Sequence, residues 1–325
     1  MNMVRRAFVV STLMATAGWL AGPVSAAESY PSRPVRIVSF VPTGSSADAL
    51  LRAMVAEISR NSGAQFVVEN RPGASGAIAV NAVRGSAPDG YTLLLGGSSV
   101  LLSAMLRQDG VDPFNGFVPV VQVNASPTAL GVRADLGVRT IGDLVKLARE
   151  RPGKVSFASP GIGSYAHFMM ESIARKAGVQ FLHVPYPQLG TAITDTVGGR
   201  LDAVFSTVAP MQSFSAEGKL VLVGVTGDKR SPVLPDVPTF AESGYPDLSV
   251  KAWNGLFAPA GTPAAVVDRL AAEFAKAGEA LSVRELARTA VLEATVTPPD
   301  EFRELLARER AYWRRAIAET GIKAQ

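Results

Sequence analysis

Short apolar runs alternate with longer amphipathic stretches along most of this chain. Val35–Val41 reads as a buried strand. From about Ala47 to Asn61, Leu50, Leu51, Met54, Val55 and Ile58 fall on one helical face, with Gly63 as the stop. Phe66–Glu69 predicts a second strand, Ser75–Val83 a helix, and Tyr91–Leu95 a third strand that opens onto Gly96-Gly97-Ser98-Ser99. Val118–Val123 reads as a strand and Thr140–Glu150 as a helix. A strand from Val155, a helix from Tyr165 and the strand 181–186 follow, then a helix over Thr191–Val197. The runs 201–206 and 219–226 predict two more strands. Beyond the Pro-rich Leu234–Gly244, Val250–Ala258 predicts a strand, followed by helices Pro263–Leu281 and Pro299–Thr320 around a short strand near Leu292–Val296. Such alternation predicts an α/β architecture with largely parallel sheet.

The order of elements divides the chain. Residues 27–125 and 251–325 form one discontinuous domain and residues 126–250 a second, so two segments cross between them as a hinge. Open α/β sheets take ligands at the carboxyl ends of their strands, at switch points.

Residues 1–26 have the layout of a secretory signal peptide. Arg5 and Arg6 begin it, an uncharged stretch runs from Ala7 to about Leu20, and Val24, Ala26 and Ala27 offer cleavage points. Arg5-Arg6 faintly resembles a twin-arginine signal, but the ordinary export route is the expected one. The apolar run is short for a membrane span. Its removal takes formal net charge from +4 to +2, too near neutral for an electrostatic nucleic-acid binder. With no cysteine in the chain, an exported protein relies on its core alone and carries no lipid anchor, so a soluble periplasmic monomer is expected. His167 and His183 are the only histidines, too few for an ordinary zinc site, and neither metal nor cofactor is expected.

Two junctions stand out. Val35–Asp48 and Val155–His167 each bring a strand to a Gly/Ser loop opening directly onto a helix. A helix start carries unpaired N–H groups and partial positive charge, which favour carboxylates and phosphates. In the first loop Ser45 and Asp48 fit a capping box, which accounts for Asp48, while Gly44 allows close backbone approach and Ser45 or Ser46 has groups free to meet a ligand. The second, Gly161-Ile162-Gly163-Ser164-Tyr165-Ala166, matches G-x-G-x-x-A, but no acid ends the next strand near Tyr186, so a dinucleotide is disfavoured. His167 reads as a residue supporting that loop, His183 as structural. Tyr165, Tyr186 and Trp253 either wall a pocket or pack in the core. A hydrolase using Ser164 and His167 finds little support without a G-x-S-x-G elbow.

The runs YPSRPVRIVSFVPTGSSAD, VVENRPGASGAIA, APDGYTLLLG, PGKVSFASPGIGSYAHF, HVPY, KRSPVLPDVPTFAESGYP and GLFAPAGTP occur in order over nearly the whole mature chain. Together they resemble the receptor family of tripartite tricarboxylate transporters, the Bug-type extracytoplasmic solute receptors. The resemblance implies a two-domain Venus flytrap, type II-like periplasmic-binding-protein fold, no enzymatic activity, and a small carboxylate ligand delivered to membrane permease subunits. It also implies a ligand site at Thr43, Gly44, Ser45, Ser46 and Ala47 in the first domain and at Gly163, Ser164 and Tyr165 in the second. Ser98 and Ser99 border it, with His167, Tyr186 and Ser206 nearby. Departures from the family pattern fall at Ser45, Ala47, Pro187-Gln188 and Ser206, where the family commonly has an Asp. Losing that carboxylate removes a partner for a ligand ammonium, so a di- or tricarboxylate or an aromatic acid is expected over an amino acid. An orphan sensor feeding a signalling partner is the alternative reading.

Overall fold

A computed structural model describes residues 30–106, 112–186 and 188–322. Residues 1–26, expected as a signal peptide, and Pro187 lie outside the described residues. The strands are β1 (Val35–Ser39), β2 (Phe66–Asn70), β3 (Thr92–Gly97), β4 (Phe117–Ser126) and β5 (Thr128–Arg133). They continue as β6 (Ser156–Ser159), β7 (Leu182–Pro185), β8 (Ala203–Thr207), β9 (Leu220–Val225) and β10 (Ala252–Pro259). Helices α1 (Ser46–Ser62), α2 (Ala77–Val83) and α3 (Ser98–Leu106) accompany the first strands. Next come α4 (Ile141–Glu150), α5 (Tyr165–Ala177), α6 (Leu189–Val197) and α7 (Gln212–Ala216), then α8 (Ala264–Gly278), α9 (Leu281–Thr289) and α10 (Pro299–Thr320). None of the described helices is long and apolar enough to cross a membrane.

Two five-stranded sheets form, ordered β2-β1-β3-β10-β4 and β7-β6-β8-β5-β9. Within the first, β1 pairs in parallel with β2 and β3, while β10 runs antiparallel to β3 and β4. In the second, β6 pairs in parallel with β7 and β8, while β5 runs antiparallel to β8 and β9. The sheets therefore share one plan, largely parallel with a single reversed strand in fourth place. That reversed strand is in each case the one the chain lays down on arriving from the other sheet: β5 after Pro127, and β10 after residues 226–251. This is a two-domain binding-protein fold.

Three expectations need correction. Ser98-Ser99 opens helix α3 rather than a loop, because Val100, Leu101, Leu102 and Ala104 bury against the sheet. The helix expected over Pro263–Leu281 forms as α8 but stops at Gly278, packed so closely on Val296 that a Cβ there would lie 2.4 Å from its methyl, and α9, which starts at Leu281, was not expected. The stretch near Leu292–Val296 forms only isolated bridges to β4, Glu293 to Ala125 and Thr297 to Gln122.

Helix α10 spans the two lobes. Its Phe302 meets Trp253 edge-on and Phe257 at a tilt, both of β10, while Trp313 meets Tyr165 and Phe168 of α5. Trp253 is thus a core residue, buried among Phe114, Phe257 and Phe302.

Candidate functional site

The two Gly/Ser junctions close with one hydrogen-bond pattern. In the first loop the Ser45 N–H donates to the Pro42 carbonyl, the Gly44 N–H to the Asp48 carboxylate at 3.0 Å, and the Asp48 N–H to Ser45 Oγ at 3.3 Å. In the second, the Ser164 N–H donates to the Gly161 carbonyl, the Gly163 N–H to His167 Nδ1 at 3.1 Å, and the His167 N–H to Ser164 Oγ at 3.2 Å. Backbone angles agree as well: φ is +81° at Gly44 and +75° at Gly163, and the capping serines both have ψ 158°. The left-handed angle calls for glycine at both places. At Gly163 space does too, since a Cβ would lie 2.5 Å from Leu106 of α3. That contact seats the second loop against a helix of the other lobe.

With the capping serines occupied, the first-turn donors left are the N–H groups of Ser46 and Ala47 in α1 and of Tyr165 and Ala166 in α5, which a helix leaves without intrahelical partners. Pro42, Thr43, Gly44 and Ser46 are exposed, with Ser45 and Ala47 half-buried. Gly163 is buried and Ser164 half-buried.

Each loop is tied from behind by its own strands. Asp48, only 2 % exposed, also accepts from Asn70 Nδ2 at 2.8 Å and from Arg52 Nε at 3.0 Å. Asn70, ending β2, donates again to the Val41 carbonyl. Capping alone therefore does not account for Asp48. Burial works to raise its carboxyl pKa, but the Gly44 N–H, Asn70 and Arg52 together hold it below the usual value. Behind the second loop, Ser159 Oγ accepts the Gly161 N–H at 3.1 Å, meets Ser164 Oγ at 3.1 Å, and lies 2.6 Å from His183 Nε2. The His167 and His183 rings stack at 4.2 Å. Burial and the neighbouring His183 lower the His167 pKa to about 4, so at neutral pH its Nδ1 is an acceptor for Gly163. Its other nitrogen lies 3.8 Å from Glu171. Ser164 and His167 thus meet through the backbone N–H, not as nucleophile and base.

Other expected site residues scatter around these loops. Ser98 is buried, and its Oγ accepts from the Trp253 N–H at 3.4 Å, while Ser99 is exposed. Tyr186 follows β7, its N–H on the Ser159 carbonyl and its hydroxyl donating to Asp195 at 2.8 Å. Ser206, near the carboxyl end of β8, is 3 % exposed, and its hydroxyl has no hydrogen-bond partner. Tyr165 shows two ends. Its backbone belongs to the loop, but its buried hydroxyl donates to the Val250 carbonyl, where the chain crosses between sheets. Burial, with Tyr312 and Glu309 nearby, pushes this phenol well above its usual pKa.

A cavity of about 340 Å³ lies beside the hinge, lined by Pro127, Val233, Arg284, Arg288 and Val291. None of the loop residues lines it, and its arginines face Glu279 at 3.7 Å and Glu285 at 3.1 Å. Sequence reasoning passed over Asn70, Arg52 and Ser159. Asn70 sits inside VENRPG, a run whose specificity hinted at such a tie.

Comparison with known proteins agrees with this architecture. The chain is 33 % identical over 326 residues to protein BugT of Bordetella pertussis, covering 99 % of each. An R. palustris protein solved with adipate matches at a TM-score of 0.79 and 30 % identity, over 90 % of this chain and 99 % of that one. MatC from Rhodopseudomonas palustris, solved with bound malate, matches at 0.74 and 28 %, over 89 % and 100 %. Residues 50–322 match the model of the tripartite tricarboxylate transporter family receptor, and the chain belongs to that family of solute-binding receptors.

Proposed function

We propose that this chain is an exported, periplasmic receptor that closes its two lobes around a small carboxylate and hands it to a tripartite tricarboxylate-type permease. The lobes divide at about residues 126 and 250, and Thr43–Ala47 and Gly163–Tyr165 form the two jaws. The observation that carries this reading is that one loop is built twice, on different sheets, each leaving first-turn N–H donors free. Ser46, Ala47, Tyr165 and Ala166 supply N–H groups, and Ser45 and Ser164 order them. Thr43, Gly44, Ser98, Ser99, Tyr186 and Ser206 line the approach, while His167 acts through Gly163. Hydrogen bonds to a charged group contribute about 1.5–3 kcal/mol each, so four would outweigh desolvation and closure. Support comes from two structural neighbours, one solved with adipate and one with bound malate.

A di- or tricarboxylate or an aromatic acid suits this site better than an amino acid, since Ser206 offers an ammonium no negative partner. Thermal-shift and calorimetric titration with carboxylates, aromatic acids, amino acids and neutral sugars tests the proposal. A ligand at 100 times its dissociation constant stabilises the protein by about 2.7 kcal/mol. Carboxylates should raise the melting temperature. A shift with sugars alone would refute the clamp, and tight aspartate binding would refute the role given to Ser206.

A further inference from the structure

We infer that Asn124 and Asn254 form an uncharged amide subsite, which binds an acceptor oxygen carried by the ligand away from its clamped carboxylate. The inference rests on the carboxylate clamp proposed above. Asn124, near the end of β4, is 0 % exposed, and Asn254, near the start of β10, is 9 % exposed. The two are register partners. Asn254 Nδ2 donates to Asn124 Oδ1 at 3.0 Å, and Asn124 Nδ2 is left with no partner. Buried amide donors are nearly always satisfied, and leaving one unpaired is costly, so this one calls for an explanation.

Its place in the sheet supplies one. β10 runs against β3 and β4, so the start of β10 and the ends of β3 and β4 share the carboxyl edge of the first sheet. Asn254 pairs there with Gly97, the residue before Ser98. Space at Gly97 is closed: a Cβ would lie 2.8 Å from Asn254 Oδ1 and 2.9 Å from the Phe40 ring. A side chain at that position would displace the amide, and glycine leaves it in place. Across the crossing at Pro127, Ser206 pairs with Ala129, and its buried hydroxyl is also without a partner. Unsatisfied neutral polar groups thus flank the crossing on both sheets.

Strand order makes the subsite distal. β10 is two strands from β1, about 10 Å at the usual spacing, so Asn254 stands well away from the first loop. What reaches the amides is the far end of a ligand whose carboxylate lies on the helix starts. Charge narrows the chemistry. Lys251, which precedes β10, is engaged by Glu293 at 2.7 and 2.8 Å, and Arg52 by Asp48 and Asn70. The subsite therefore offers a neutral N–H donor, suited to a hydroxyl, a keto oxygen or a carboxylate oxygen. A methyl end or an ammonium leaves Asn124 unpaired.

The test is calorimetry with straight-chain carboxylates in matched triplets of rising length, ending in methyl, hydroxyl or a second carboxylate. At the best length the wild-type protein should favour the oxygen-bearing members by about tenfold or more. In Asn124→Leu that preference should fall to near unity, with binding of the methyl-ended member kept or improved. Asn124→Asp, which keeps the shape and loses the donor, should lose the preference as well. Asn254→Leu provides a second route should Asn124→Leu fail to fold. Ser164→Ala should weaken all three members alike. If carboxylates bind and the Asn124 variants keep the wild-type preference, the subsite is overturned and the clamp stands. If a liganded crystal structure finds a water on Asn124 Nδ2, the subsite is overturned too. If none of the triplets binds, the clamp itself fails and takes the subsite with it.

Discussion

The loop at Pro42–Asp48 and the loop at Gly161–His167 share a backbone and differ in the side chain that closes it. At the position where the Gly44 N–H finds an ionised carboxylate, the Gly163 N–H finds a neutral imidazole. Asp48 is held by charge, with Arg52 and Asn70 on its two oxygens. His167 is held by packing, stacked on His183 and lying beside Phe157. One backbone solution can thus be stabilised by quite different chemistry. The partners differ with the choice: Asp48, though buried, has its charge answered by Arg52, whose own side chain is 45 % exposed. The second loop lies against Leu106 of the opposite lobe, where a second charge would be desolvated.

The largest expected effect separates the two closures. Asp48→Ala strands the Gly44, Asn70 and Arg52 donors together and should cost about 3–5 kcal/mol in urea unfolding. His167→Ala loses one neutral acceptor and some packing, and should cost about half as much. Equal losses would mean that the charged network adds nothing beyond the shared backbone bond.

Acid should sharpen the contrast. His167 is held neutral, its folded pKa of about 4 lying below its ordinary 6.5. Its contribution is complete above pH 6.5 and is lost as pH falls toward 4, amounting to at most about 3 kcal/mol. Asp48 is also lowered, from 3.8, so its contribution persists until pH falls below the ordinary carboxylate range. Of the two closures, the second should therefore weaken first as pH falls. His167→Gln, which offers Gly163 an acceptor that gains no proton, should lessen the loss of stability between pH 6.5 and 4 relative to wild type, leaving the part due to His183, which burial also lowers, and identical profiles would contradict the assignment.

A smaller effect, about 1–3 kcal/mol, is expected from Asn70→Ala or Ser159→Ala, which cut the ties behind each loop. Each should also weaken carboxylate binding in calorimetry. The smallest belongs to the capping serines: Ser45→Ala and Ser164→Ala should each cost about 1 kcal/mol in thermal unfolding, by similar amounts if the loops are equivalent.

Both helix starts were legible from SSAD and GIGSYA, because capping is local and its residue types are few. Most strands followed from their apolar runs. Helix α3 was not legible, since Gly96-Gly97-Ser98-Ser99 has the composition of a loop and its helicity comes from burial of the residues after it. Strand β5 was lost behind Pro127, where the chain leaves one sheet and enters the next without a turn. The second role of Asp48 depends on Asn70, and that of Tyr165 on Val250, pairings set by tertiary packing that no local spacing encodes. The amide pair at Asn124 and Asn254 joins residues 130 apart, so neither looked remarkable alone.

The reversed strand in each sheet bears on how the chain folds. β5 to β9 are contiguous in sequence, so the second sheet holds every strand it needs once residue 225 is available. The first sheet has its fourth place filled only when β10 arrives, between strands β3 and β4 laid down long before. Closing that long loop is entropically slow, so β4 is held apart from β3 until then. The second lobe should gain protection from hydrogen exchange first during refolding, and the lobe that begins the chain should finish last.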